Sequence, residues 1–452
     1  MSLQDQSMAG RRGLSLLLAG LVLLLAACAG VGSPAVSVTP TPRPTSASTA
    51  APGASPTRSA ASICPAQLRT ILTCQTPYSM RVAYGLEALT ERGLTGKGQT
   101  VVDIVSFGSP TLQQDVDVFD RQFGLPPITI RVLSPIGTTK FDPANNDMLG
   151  WAEETTLDVE IIHALAPDAN IVVLTSPVDE TEGTIGLPQF LQLEQYAVNN
   201  HLGQIFSQSY VASEATLADK AGRQLVATYS DFYKQATTQQ GWTILSGSGD
   251  HGATDYNNLA ATTFSPTPIV NFPADVPWVT AVGGTTLRSS SAATQETAWS
   301  GSGGGFSAFF SEPDYQRALP QSVQTQLNGR RGIPDVAADA NPLSAMAIYF
   351  DGQWMQVGGT SAATPTWAGI IAVANQMAGH PLGFINPALY KIATSAQAAE
   401  DFRDITSGTN SFSDGGVMVQ GYTAGPGWDA VTGFGAPICA KLLPDLIASL
   451  SS

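Results

Sequence analysis

The order of short apolar runs and longer amphipathic ones predicts an α/β fold. A doubly wound parallel sheet with helices on both faces is expected, forming one large domain over residues 64–452. Two observations carry that expectation. Strand-like segments such as Thr100 to Val105 are apolar or β-branched almost throughout instead of alternating with polar residues, which marks strands buried on both faces. Helix-length segments then separate them one by one, and a parallel neighbour is reached only through such a crossover.

In order along the chain, Thr100 to Val105 reads as a strand, Leu112 to Phe123 as a helix, Ile128 to Leu133 as a strand and Glu153 to Leu165 as a helix. Asn170 to Thr175 (strand), Leu187 to Asn200 (helix), Gln204 to Tyr210 (strand), Leu217 to Gln239 (helix) and Thr243 to Gly247 (strand) follow. A further apolar helical run extends from Trp367 to Met377. Ligands of such sheets bind beyond the carboxyl ends of the strands, so chemistry is expected in the turns after these runs.

Charged residues make up only 13% of the chain, with 36 acidic against 21 basic and a net charge of −15. Nothing in that balance could neutralise phosphates, which excludes nucleic acid as a partner. It permits an acidic habitat, because net repulsion falls as the medium acidifies. Residues 1–28 read as an export signal: Arg11 and Arg12 precede an apolar run from Leu14 to Ala27, and the ending Leu25, Ala26, Ala27, Cys28 resembles a bacterial lipoprotein signal whose cysteine carries the lipid. Residues 29–63 are rich in Pro, Thr, Ser and Ala and read as a tether. Export through Cys28 to the outer face of a bacterial membrane is the expected localisation, and export favours a disulfide among Cys64, Cys74 and Cys439, with the pairing open.

Gly358, Gly359, Thr360 and Ser361 precede the Trp367 helical run. Glycines allow a tight turn, and a helix behind a serine presents free N–H groups and a positive dipole end, which suits a nucleophile and its oxyanion; a simple capping role is the alternative. Glu154 and Asp158 are spaced i and i+4, on one helix face. Like charges there are unfavourable unless they share a proton or act together; an ordinary acidic face is the alternative. Of the histidines, His163 lies inside an apolar helix, and His201 and His380 sit at helix ends. His251, in the turn Gly249, Asp250, His251, Gly252, could serve a conventional Ser, His, Asp triad. Asp404 with Ile405, and Gly425 through Asp429, offer two carboxylates and turn carbonyls, a hard oxygen set suited to calcium.

GGTSAATP at Ser361, ETTLD at Glu154 and Asp158, and SGSGDHG at Asp250 together resemble the sedolisins, serine-carboxyl peptidases with a subtilisin-like fold. The likeness continues through Ser300 to Gln316, Arg331 to Asp339 and the stretch AGPGWDAVTGFGAP. It implies Ser361 as nucleophile, Glu154 as general base, Asp158 as its hydrogen-bonded partner and a protonated Asp250 as oxyanion donor, with activity in acid. It also implies one structural Ca2+ held by the Asp404 and Asp429 side chains and the carbonyls of Ile405, Gly425 and Gly427. Gln204 to Tyr210 and Ser302 to Gly305 would line the cleft, with Val211 where the family usually has glycine. The expected product is a monomeric endopeptidase acting on protein or peptide substrates. The family's prodomain has no counterpart between the tether and the domain, which raises the alternative of a catalytically silent binding lipoprotein on a peptidase fold.

Overall fold

The computed structural model describes residues 63–68, 73–289, 294–414 and 416–451. The expected export signal and, apart from Ile63, the tether lie outside them. Strands β1 (Thr100–Ser106), β2 (Arg131–Leu133), β3 (Asn170–Ser176), β4 (Ile205–Gln208), β5 (Thr243–Gly247) and β6 (Thr280–Ser289) belong to one sheet. It is extended by β7 (Thr294–Ala298) and, after an antiparallel pair β8 (Gly305–Ser311) and β9 (Arg330–Ile333), by β10 (Val336–Asp339). The strand order is β10-β6-β5-β4-β1-β3-β2, parallel throughout, with β7 antiparallel on β6.

Helices cover both faces as expected. Val101 and Val105 of β1 face a core shared with α1 (Leu112–Phe123), α2 (Asn146–Leu165) and α5 (Thr360–Ala378), whereas Val102 and Ile104 face α3 (Leu187–Asn199) and α4 (Lys220–Gln239). The alternation that is invisible in β1's composition is therefore present in its contacts: every position is buried, and parity alone decides the side. Helices α2 and α5 cross closely at Gly369, where a Cβ would stand 2.8 Å from that of Leu165. Among the described residues no helix is long and apolar enough to cross a membrane.

Several boundaries differ from the sequence reading, each for a local reason. Helix α2 starts seven residues before Glu153, because the Asn145 side chain accepts from the N–H groups of Asp147 (2.8 Å) and Met148 (3.2 Å) and caps it. Asp219 likewise starts α4 at Lys220 by accepting from Gly222 N at 2.7 Å. Strand β2 shrinks to Arg131–Leu133 at the sheet edge. Cys64 pairs with Cys74, leaving Cys439 free and buried at the start of α6 (Cys439–Leu450). Just beyond that bridge, Gln75 pairs with the chain before Ser361: its N–H donates to Ala345 O (3.2 Å) and its carbonyl accepts from Ala347 N (3.0 Å).

The interior holds an unusual number of acids. Asp158, Glu160, Asp275 and Asp339 are fully buried, and burial above all raises their carboxyls well above the ordinary range. Glu194 is pushed up to about 8 in the same way, against the pull of hydrogen bonds from Tyr210, Tyr233 and Gln208. A carboxyl raised in the folded state holds a proton that the unfolded chain releases, so the folded state loses stability as pH climbs from the ordinary acid range through the raised value. Thermal unfolding is expected at a Tm higher at pH 4 than at pH 8.5 by about 10 °C or more. Equal Tm values at the two pH values would contradict it.

Candidate active site

The glycine-rich turn delivers Ser361 to the second position of α5. Gly359 adopts φ +109, and a Cβ there would lie 2.5 Å from Asp250 Oδ2. Only a residue without a side chain lets Asp250, in the turn after β5, lie this close to the chain just before Thr360 and Ser361. Asp250 Oδ1 accepts from Thr360 N (2.7 Å) and Thr360 Oγ1 (3.0 Å), which fixes the carboxyl beside the first turn of α5. The opposite oxygen is left over Gly359.

Glu154 comes from the neighbouring helix α2, with its carboxyl within hydrogen-bonding reach of the Ser361 hydroxyl. Its Oε1 has no donor. One turn further along α2, Asp158 is fully buried and its Oδ1 accepts from Ser209 Oγ at 2.8 Å; the same hydroxyl lies 3.3 Å from the carbonyl oxygen of Ser361. Asp158 bonds Ser209 and the carboxyl of Asp103 on β1, and it acts on Glu154 through charge. The helical i, i+4 spacing places the two acids on one face, with Glu154 Oε1 and Asp158 Oδ2 both buried without a donor.

Burial is the first cause raising the Glu154 carboxyl; the Ser361 hydrogen bond opposes it, and the charges of Asp250, Asp103 and Glu153 add to it. Asp250 is raised by burial and lowered by its Thr360 bonds. Protein surrounds Asp250, but its edge is open to solvent in the cleft, and water there moderates the rise. The arrangement can do three things: take a proton from a serine hydroxyl, hold further protons behind the acceptor, and offer an acid O–H beside the helix start where an oxyanion would form.

The histidines stand elsewhere. His163 Nε2 lies 3.0 Å from Pro126 O and 3.1 Å from Asp120 Oδ1, away from Ser361. His251 Nδ1 lies 3.1 Å from Asp255 Oδ1, and its ring packs edge-on against Tyr256 and Phe264.

No protein-family model matches the sequence. Among individual proteins, the chain is 32% identical over 390 residues to kumamolisin of Bacillus sp. strain MN-32, covering 84% of this chain and 65% of that protein. It is 35% identical over 310 residues to human tripeptidyl-peptidase 1, covering 65% of this chain and 52% of that one. The fold superposes on Pseudomonas sedolisin, a serine-carboxyl proteinase solved in complex with pseudo-iodotyrostatin, with a TM-score of 0.69 and 28% identity, covering 83% of this chain and 98% of the solved one. The chain belongs to the sedolisin family. It spans less than two thirds of the length of the two curated sedolisin relatives above.

The remaining sedolisin motifs fall around this centre. Gln208, Tyr210 and Tyr233 all donate to Glu194 Oε1, at 2.7, 2.8 and 3.2 Å, which stiffens the segment that carries Ser209. Gly303 N donates to Gly249 O at 2.8 Å, so the glycine-rich stretch Ser302 to Gly305 lies against the Asp250 turn. The calcium positions also converge: Gly427 N donates to Asp404 Oδ2 (2.9 Å) and Gly425 N to Asp429 Oδ2 (3.0 Å), so both carboxylates address one turn. Burial raises Asp404 and pushes Asp429 up to about 6, against the pull of the backbone N–H groups that each carboxyl accepts from. Among the described residues no group of three or more His, Cys, Asp or Glu is placed to hold a metal; this turn supplies two carboxylates and would rely on carbonyls for the rest.

Thr360, Ser209 and Asp103 were not singled out by the sequence. The first two lie inside motifs read for other reasons. Asp103 has its own signal, a lone acid within a run otherwise buried on both faces.

Proposed function

We propose that the chain is an acid-active serine-carboxyl endopeptidase. The observation that carries the reading is the Ser361 hydroxyl facing Glu154 on one side with Asp250 anchored beside the same helix turn. Ser361 Oγ attacks the scissile carbonyl while Glu154 takes its proton. The carbonyl oxygen, now an anion, is met by the Asp250 O–H and the backbone N–H at the start of α5. Glu154 then gives its proton to the leaving amine, and water, deprotonated by Glu154, releases the acyl group from Ser361. Asp250 must be protonated and Glu154 ionised for the first step. Burial pushes Glu154 up to about 8 and its neighbours are acids too, so the two limbs of the pH profile belong to the coupled cluster and not to one residue each. A carboxylate base still operates where a histidine would be locked as imidazolium.

Asp404, Asp429 and the carbonyls of Ile405, Gly425 and Gly427 would hold Ca2+, whose charge would offset two partly buried carboxylates and fasten the two segments together. Lipid attachment through Cys28, outside the described residues, would keep the domain at the outer membrane surface. The substrates are unfolded proteins or peptides that lie along the Gln204 to Tyr210 and Ser302 to Gly305 segments.

The test is hydrolysis of a quenched peptide library from pH 2 to 8 by the full chain and by Ser361→Ala. A bell-shaped profile with its maximum below neutrality, absent in the variant, is the expected result. Activity that survives Ser361→Ala would overturn the assignment, and a folded chain inactive at every pH would favour the silent binding protein.

A further inference from the structure

Asp103 lies at the centre of the parallel sheet, on the face of β1 that meets α2 and α5, and it is wholly inaccessible to solvent. Apart from a grazing approach by the N–H of its neighbour Ile104, neither carboxyl oxygen meets a conventional donor. What it meets is the carboxyl of Asp158, whose Oδ2 also lacks a donor. Two acceptor groups can approach in a dry interior only with a proton between them, since bare carboxylates at that distance would repel strongly and each would be left without solvation. Resting on the peptidase reading, we infer that Asp103 is a positioning residue of this site: it shares a proton with Asp158 and so sets how protons are distributed between Asp158 and Glu154.

The chain of contacts runs from Ser361 to Glu154 on α2, to Asp158 one turn on, and through Asp158 to Asp103 on β1. The other groups facing it are Glu153 from α2, Asp250 from the turn after β5, Ser209 after β4 and Ser361 from α5; Ser209 supplies the hydroxyl that Asp158 Oδ1 accepts. Every ionisable member is an acid, so each ionised neighbour resists ionisation of the next. Asp103 raises both Glu154 and Asp158 through its charge. An ordinary structural acid in this place would be expected to have a cation or a set of N–H donors, as Asp335 has in Arg331 and Ala281 N. Asp103 has instead an acid that belongs to the site.

Asp103→Asn keeps the size, removes the charge and offers Asp158 an amide donor. Two readouts on the full chain test the inference. The acid-side limb of kcat/KM against pH should move about one unit lower, because the base loses a like charge. Independently of activity, the Tm of the variant relative to wild type should rise between pH 4 and pH 8, since only wild type carries the buried proton that becomes costly to hold as pH climbs. An unmoved limb in an active variant overturns the role, and a Tm difference constant with pH overturns the shared proton. If wild type shows no hydrolysis, the peptidase reading fails and the Tm comparison still decides the proton. Should the variant not fold, carboxyl 13C NMR of wild type labelled at Asp gives the answer. Two signals titrating together above about pH 6 support the pair, and an Asp103 signal titrating alone near about pH 4 overturns it.

Discussion

Glu154→Gln is expected to lower kcat/KM by about 10³ to 10⁴ at the optimum while leaving the protein folded. Glutamine keeps the length and can still hydrogen-bond the Ser361 hydroxyl, but it cannot take its proton. The stability readout should move the opposite way. Glu154 stands near Asp250, Asp103 and Glu153, and removing one of several acids relieves repulsion, so Tm at pH 7 should be unchanged or raised. Loss of activity with gain of stability separates a proton acceptor from a residue that merely supports the fold. If Glu154→Gln retained full activity while His251→Ala abolished it, the base would be the histidine after Asp250. The contacts of His251 with Asp255 and its aromatic neighbours argue against that outcome.

The second large effect is structural and lies in the stretch Arg331 to Asp339. Arg331 and Asp335 are both completely buried, joined by two bonds of 2.7 Å and 2.6 Å. Asp335 also accepts from Ala281 N (2.8 Å) and the Tyr390 hydroxyl (2.7 Å), so the pair fastens β6, β9 and the helix bearing Tyr390 around one charge. Arg331→Met would leave a carboxylate in the dry interior with no counter-charge, at a cost of about 3–5 kcal/mol. Denaturant unfolding should show that loss, and adding Asp335→Asn to the same chain should restore a good part of it, because the stranded charge is then gone. A single variant that unfolds at the wild-type midpoint would show that the bridge contributes nothing net.

The sheet was legible because buried parallel strands and their crossover helices leave long, unambiguous runs. Leu112 to Phe123 and Thr243 to Gly247 are found at the positions the sequence indicates. Past β5 several strands are very short, as at Asn271–Phe272 and Phe412–Asp414, so periodicity had too few residues to act on there. Ser361, Glu154, Asp158 and Asp250 could be named in advance because their motifs are compact. Their mutual geometry could not. The partner of Asp158 is supplied by a strand more than fifty residues upstream, where an apolar run hides a single acid, and Ser209 enters from a segment legible only as a cleft wall. The cysteine pairing was open for a simpler reason: three thiols allow several bridges, and only the fold shows Cys439 buried at the start of α6, apart from the other two.

The bridge between Cys64 and Cys74 closes a loop, with residues on its far side hydrogen-bonded to the chain that leads to Ser361. A protease that nicks the backbone anywhere inside that loop creates a new terminus without separating anything, because the two halves remain joined through sulfur. A cut inside the loop therefore releases what precedes Cys64 only if the disulfide is also reduced, whereas a cut before Cys64 needs no second event. In an oxidising surrounding the reduction does not occur, and a molecule nicked inside the loop stays in one piece.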